Sequence, residues 1–207
     1  MGMVRAFIAV ELNSAVRTAI SNLQAQVKAE LHRELRQSVA DIRLQWVKPE
    51  SIHLTLKFLG DIREEQVDGI CSSLMSALAT QSCFLLEVGG LGVFPDLRAP
   101  RVLWIGLEQA ERNGPSPAVQ LAETVERAMT SLDFLPEAKP FTPHLTLARI
   151  KERSREVGKV LSSLGLLAKG RAMGTLPVNA VSLMRSDLQP SGAVYTRLCE
   201  IPLSPTD

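Results

Sequence analysis

No hydrophobic run in this chain nears the roughly 20 residues that a membrane-spanning helix needs, so nothing in the sequence asks for a bilayer. An excess of one charge is also missing. With 23 Lys+Arg against 22 Asp+Glu the net charge is +1, which excludes a long basic surface for coating a duplex and leaves room for a local patch that holds a few phosphates. The three cysteines, Cys71, Cys83 and Cys199, are scattered and form no CxxC. Neither a disulfide framework nor a zinc ribbon is expected from them, and Cys71 falls in an apolar helical register that reads as packing. The first residues carry no cleavage signature, and Ala6 stands where a myristoylation motif needs Ser or Thr. A reducing cytoplasm is the expected compartment. Gly89, Gly90 and Gly92 do not make GxGxxG, and there is no GxSxG, so neither a dinucleotide loop nor a serine-hydrolase elbow is expected. Phe84 and Phe94 are the only aromatic residues between Phe58 and Trp104, too few for a multi-base stacking platform.

What remains is an ordinary globular balance of 45% apolar and 22% charged residues over 207 positions, enough for one large domain or two small lobes. Arg5 to Leu12 reads as a buried strand. Asn13 or Ser14 then caps a helix with Val16, Ile20, Leu23, Val27, Leu31 and Leu35 inward, and His32 sits on its charged, solvated side. Asp61 is the expected N-cap of a second helix with Val67, Ile70, Cys71, Leu74 and Leu78 inward. Residues 83–93 and 101–107 read as strands, and the polar stretch 108–117 as an internal linker. Ser116 and Pro117 open a third helix through Leu121, Val125, Met129 and Leu132. A fourth buries Val157, Val160, Leu161 and Leu164 before Gly165. Two strands, 179–188 and 193–201, meet at the turn 189–192, and a short disordered tail is expected after about residue 202. Short alternating strands joined by turns predict an α+β fold: a single 1–207 unit of two similar lobes, each with an antiparallel sheet and two helices.

Two of only three histidines open the same four letters, His53-Leu54-Thr55-Leu56 and His144-Leu145-Thr146-Leu147. Side chains alternate across a strand. His53, Thr55 and Lys57 are therefore predicted on one face, with Leu54, Leu56 and Phe58 in the core. The second copy likewise sends His144 and Thr146 outward and Leu145 and Leu147 inward, and strict alternation puts Arg149 with the leucines. Two such strands facing across a cleft present two imidazoles and two hydroxyls to one point. Imidazole titrates near neutrality, so one ring can serve as base while the other serves as acid. That division suits in-line displacement at phosphorus, with threonine hydroxyls and Lys57 or a nearby arginine donating to the non-bridging oxygens. No metal or other cofactor is needed, and neither motif holds Cys, Asp or Glu at zinc-ligand spacing. A lone His-x-Thr-x more often does nothing but satisfy backbone groups. Its repetition is what argues for function.

With these residues the chain resembles the two-histidine (2H) phosphoesterase superfamily, marked by a pair of HxTx motifs. Within it the likeness is to the RNA 2′,3′-cyclic phosphodiesterases, also called 2′-5′ RNA ligases. It extends through RAFIAVEL, Trp46-Val47, LGVF followed by RVLWIGL, PHLTLARI, and the stretch from Leu188 to Tyr195-Thr196. The resemblance implies a bilobal fold with a pseudo-two-fold axis and both motifs lining a central cleft. It implies hydrolysis of RNA 2′,3′-cyclic phosphate ends to 2′-phosphomonoesters, with reverse 2′-5′ joining in some members. It also implies His53 as proton donor, His144 as proton acceptor, and Thr55 and Thr146 as donors to phosphate oxygens, while Arg149 resembles a family position. The expected partners are RNA termini or small nucleotides bearing a 2′,3′-cyclic phosphate. No obligate protein partner is evident, and a monomer is expected. The rival readings are a phosphodiesterase of a small cyclic nucleotide and a non-catalytic RNA- or nucleotide-binding module. Phe94 and Tyr195 are candidates for stacking on a base.

Overall fold

A computed structural model describes residues 2–36, 44–109, 114–164, 172–189 and 192–205. In chain order it contains β1 (Met3–Glu11), α1 (Ser14–Arg36), β2 (Leu44–Trp46), β3 (His53–Arg63), α2 (Val67–Leu78), β4 (Phe84–Phe94) and β5 (Val102–Gln109). These are followed by α3 (Pro117–Thr130), β6 (His144–Ile150), α4 (Ser154–Ser163), β7 (Ala172–Val178), β8 (Ala180–Gln189) and β9 (Gly192–Pro202). The strands form one sheet in the order β7-β4-β5-β6-β3-β1-β8-β9, with β2 beside β6, and its ladders are antiparallel. The expected α+β class with antiparallel pairing and four helices is what the chain adopts. The two four-strand halves are continuous with each other: β6 ends one, β3 ends the other, and Leu54 pairs with Leu145 where they meet.

The helices divide between the halves. α1 lies against β7 and α4, whereas α2 lies against α3 and β9, and α3 also touches β3. Their apolar stripes close over one face of the sheet, where Ile20, Val27, Ile70, Leu74, Leu121, Val125, Val157 and Leu161 are buried with Ile8, Leu54, Ile105, Leu145 and Leu183. Asn13 caps α1 as expected, its Oδ1 accepting from the Val16 N–H at 2.9 Å. His32 is exposed on α1, as its charged neighbours suggest. No helix among the described residues is long and apolar enough to cross a membrane.

Several expectations need correction. Asp61 does not cap α2. β3 continues to Arg63, because the register slips between Phe58 and Gly60, and Gly60 takes a positive φ of 74° that lets the strand bend and go on pairing with β1. β7 is an edge strand that shows little alternation and contains Gly174 and Pro177, features tolerated only at an edge. The segment after residue 202 does not begin as a loose tail. Leu203 is buried, its N–H bonds to Asn179 O, and Ser204 exchanges backbone hydrogen bonds with Gln81 and Cys83. Cys71 is not merely packed: it forms a disulfide with Cys199, tying α2 to β9 across 128 residues of chain. Gly165, Pro190 and Ser191, read above as parts of a cap and a turn, lie outside the described residues.

Candidate active site

The sheet face opposite the helices carries both histidines. Leu54 and Leu145 pair and point into the core at zero exposure. One residue along each strand from that pair, His53 and Thr55 of β3 and His144 and Thr146 of β6 therefore emerge on the other face. Antiparallel counting from the pair sets His53 across from Thr146 and Thr55 across from His144.

Each motif ends in a bulge, and the bulge decides which neighbours join it. On β3, Thr55 pairs with Ala9 and Lys57 with Ile8, so Leu56 is an extra residue. On β6, Thr146 pairs with Trp104 and Ala148 with Leu103, so Leu147 is extra. An extra residue reverses the alternation beyond it. Ala148 and Lys57 turn inward, and Arg149 and Phe58 turn out to the histidine face. This corrects two expectations. Lys57 does not sit beside His53: it is 2% exposed, and its Nζ donates to both carboxylate oxygens of Glu126 at 2.8 Å and to Leu135 O at 2.9 Å. Phe58 is not in the core but 59% exposed. Arg149, assigned to the leucine face by strict alternation, stands on the site face, close enough for its charge to act on His53 and on Tyr195. Gln24 of α1 supports the second bulge from below. Its Nε2 donates to Leu147 O at 3.1 Å and to Val47 O at 2.8 Å.

The two rings are held alike. His53 Nδ1 lies 2.9 Å from Ser51 O, and His144 Nδ1 lies 2.8 Å from Thr142 O, each two residues back. A carbonyl only accepts, so Nδ1 must carry a proton in both. In the neutral ring the lone pair is then on Nε2, the atom directed away from the backbone. Aromatic side chains fix the ring planes. Phe7 stacks on His53 with centroids 4.6 Å apart, and Tyr195 meets the same imidazole edge-on at 5.1 Å. Phe94 meets His144 edge-on at 5.0 Å and itself lies 5.0 Å from Trp104. Gly92 is required beside that indole, since a Cβ there would come within 2.1 Å of Trp104.

Charge completes the first half of the site. Glu11 stands opposite His53 in the β1–β3 ladder. Its carboxylate accepts from Arg197 Nε at 2.8 Å and from Ser182 Oγ at 2.8 Å. Burial alone would raise the Glu11 pKa, but these hydrogen bonds and the arginine charge hold it below the ordinary carboxylate value. Burial pushes the His53 imidazole down to about 4, against the opposing pull of Ser51 O and Glu11, while Arg149 adds to the depression. Burial likewise raises the Tyr195 phenol, and Arg149 and Arg5 oppose it. No three His, Cys, Asp or Glu side chains gather in metal-binding geometry among the described residues.

The structure thus brings His53, Thr55, His144, Thr146 and Arg149 to one face and leaves Lys57 out of it. Sequence reasoning missed Glu11, Phe7, Phe58 and Arg197. For Phe7 and Glu11 the only signal was the alternation of β1, which sends them to the same side as each other; strict alternation sent Phe58 of β3 to the core, and Arg197 of β9 carried no signal. The arrangement offers two oriented imidazoles, two hydroxyls and a guanidinium to a small anion, and rings to flank it.

Known proteins share this chain's sequence and fold. The family described as LigT like Phosphoesterase matches residues 10–104 and 110–195. A Methanothermobacter thermautotrophicus protein named RNA 2′,3′-cyclic phosphodiesterase is 34% identical over 194 residues, 93% of this chain and 95% of that one. An Aquifex aeolicus protein of the same name is 32% identical over 95% of each chain. Among solved structures, a Thermus thermophilus protein superposes with a TM-score of 0.73 at 28% identity, covering 98% of this chain and 100% of that one. Escherichia coli LigT complexed with 3′-AMP shares the fold with a TM-score of 0.69 at 22% identity, over 98% and 99% of the two chains.

Proposed function

Because this chain belongs to the LigT-like phosphoesterase family, we propose that it hydrolyses RNA 2′,3′-cyclic phosphate ends to 2′-phosphomonoesters, with His53 as the proton donor and His144 as the proton acceptor. The names of the relatives at 34% and 32% identity support the substrate. The observation that carries the mechanism is the matched pair of imidazole locks, Nδ1 to a carbonyl two residues back, on adjacent strands of one sheet. Both rings then offer Nε2 to whatever lies between them.

A water molecule on the His144 side gives its proton to Nε2 of that ring and attacks phosphorus. The bond from phosphorus to the 3′ oxygen breaks on the opposite side, and His53 Nε2–H protonates the departing oxygen. One water is consumed. The product carries a 2′-phosphate and a free 3′-hydroxyl. Thr55 and Thr146 hydroxyls donate to the non-bridging oxygens as charge gathers there, and the Arg149 guanidinium offsets it. His53 must be charged to act as donor, although burial disfavours that form in the free protein. The bound phosphate supplies the missing partner, since an anion beside an imidazole favours the protonated ring. Glu11 pulls the same way.

The test is incubation with an oligoribonucleotide ending in a 2′,3′-cyclic phosphate, with chelator present, followed by identification of the product isomer. A 2′-phosphate is expected. A 3′-phosphate, or no turnover, contradicts the proposal.

A further inference from the structure

We propose that Glu11 is a positioning residue for the proton donor, its clamped carboxylate stabilising the charged form of His53 from the β1 side while the substrate phosphate does so from the open side; this rests on the reading of His53 as donor. Glu11 and His53 are opposite residues at the end of the β1–β3 ladder, so their side chains leave the same face with Cβ atoms about 4.5–5.5 Å apart. The carboxylate is held from two strands. Ser182 Oγ and Arg197 Nε both donate to its Oε1 at 2.8 Å, and Arg197 Nη2 donates to Oε2 at 3.2 Å. The Ser182 hydroxyl belongs to a side chain only 3% exposed. A surface ion pair that simply joins β1 to β9 needs no buried donor and contributes little.

The arginine reaches Glu11 through a bulge of its own. In the β8–β9 ladder Leu183 pairs with Cys199 and Met184 with Arg197, so Leu198 is an extra residue. Cys199 thereby faces the helices, where it is bonded to Cys71 of α2, and Arg197 faces the site. Arg197 Nη1 also pairs with Glu200, which steadies the guanidinium. The clamp acts twice. Against the partial burial of Glu11, the hydrogen bonds from Arg197 and Ser182 keep the carboxylate ionised. The guanidinium also offsets a negative charge that would otherwise repel the phosphate.

The other groups around the ring are few. Burial disfavours the imidazolium, Ser51 O and Glu11 oppose that effect, and Arg149 of β6 adds to it. His144 lies on β6 with Arg149. Tyr195 of β9 meets the ring edge-on, and Arg5 of β1 bears on that phenol. Arg17 of α1 bears on Glu11, and Lys48 and Glu50, just before His53, are exposed. Among these charges Glu11 is the one that favours a protonated donor.

The experiment follows the His53 imidazole by NMR titration with adenosine 2′-monophosphate bound, in wild type, Glu11→Gln, Glu11→Asp and Arg197→Gln, the signal being assigned by its loss in His53→Gln. Binding needs no turnover, so the result is independent of whether the cyclic ester is hydrolysed. Glu11→Gln keeps the shape of the side chain and can still accept from Ser182, and it is expected to lower the His53 pKa in the complex by about one pKa unit, the small end for removal of a neighbouring opposite charge. Glu11→Asp, which keeps the charge, should retain most of the wild-type value. Arg197→Gln breaks the same ion pair but leaves the carboxylate, so it should not lower the value. An unchanged His53 pKa in Glu11→Gln overturns the proposal. Equal drops in Glu11→Gln and Arg197→Gln also overturn it, by showing that the pair is a structural tie. No rise of the His53 pKa on nucleotide binding in wild type would contradict the donor reading itself, whereas a rise that Glu11→Gln keeps in full would sink this proposal alone.

Discussion

Leu54 pairs with Leu145, and both side chains are fully buried at the seam between β3 and β6. This contact sets where each histidine stands relative to the other's threonine, so packing at the seam and geometry at the site are coupled. Leu145→Ala is expected to destabilise the protein by about 2–5 kcal/mol, the range for a leucine truncated in a core. It should also lower kcat in the fraction that remains folded, because small displacements of oriented groups are costly. Urea denaturation and steady-state kinetics at a permissive temperature test both parts. A destabilised protein with wild-type kcat would show that the seam holds the fold without setting the site.

Lys57 gives the opposite expectation. Its ammonium is buried against Glu126, whose carboxylate is about a quarter exposed, so Lys57→Met removes an internal ion pair but lets Glu126 rehydrate. A loss of about 1–3 kcal/mol in stability is expected, below the range for a fully buried charge left alone. KM should stay within about two-fold of wild type, since the side chain faces away from the histidines. A large rise in KM with stability intact would return Lys57 to the site.

Arg149 is exposed on the site face, so Arg149→Ala should leave stability nearly unchanged and lower kcat/KM by about 10- to 100-fold, toward the lower end for loss of one charge-stabilising donor. It should also raise the His53 pKa, because the guanidinium depresses it. Kinetics and imidazole NMR on the same variant check the two effects together.

His53 should titrate near 4 in the free protein and higher with inorganic phosphate or a nucleoside 2′-monophosphate bound. The sign for stability follows from linkage. In the unfolded chain this imidazole takes up its proton near 6.5, whereas the folded protein resists until about 4. The His53 contribution is therefore fully present above about pH 6.5 and is lost as pH falls through that window. A His53→Gln variant should show a flatter fall in stability over the same range. NMR titration with and without phosphate gives the direct reading, and a free-state pKa near 6.5 would contradict it.

The Cys71–Cys199 bond closes a span of 128 residues. Its reduction, or the Cys71→Ser variant, is expected to cost about 2–5 kcal/mol of stability. Oxidised protein should present one titratable thiol, Cys83, and reduced protein three. Equal denaturation midpoints with and without reductant would mean that the bond adds nothing.

The sequence carried most of the fold and the centre of the site. Apolar periodicity located α1, α3 and α4 and the burial of Leu54 and Leu145. The repeated tetrapeptide located both histidines, because an imidazole and a hydroxyl two residues apart must share a strand face. What could not be read was register. A bulge inserts one residue without changing composition, so strict alternation puts Lys57 and Phe58 each on the wrong face, and Arg149 could be placed by resemblance only against that alternation. The conflict was itself the trace of a bulge. The Cys71–Cys199 pair had no signature either, since three scattered cysteines do not specify a partner across so long a span. β7 was hidden by the glycine and proline that an edge strand tolerates.

The central claim is that His53 and His144 act as acid and base of one displacement. The most direct measurement uses a 2′,3′-cyclic substrate whose 3′ bridging oxygen is replaced by sulfur, a leaving group that needs no protonation. On the ordinary cyclic phosphate, His53→Ala and His144→Ala should each lose about 10²- to 10⁴-fold in rate, the scale of general acid–base catalysis. On the sulfur substrate His53→Ala should recover most of that loss, and His144→Ala none. Recovery by His144→Ala instead, or equal loss by both variants on both substrates, would contradict the assignment.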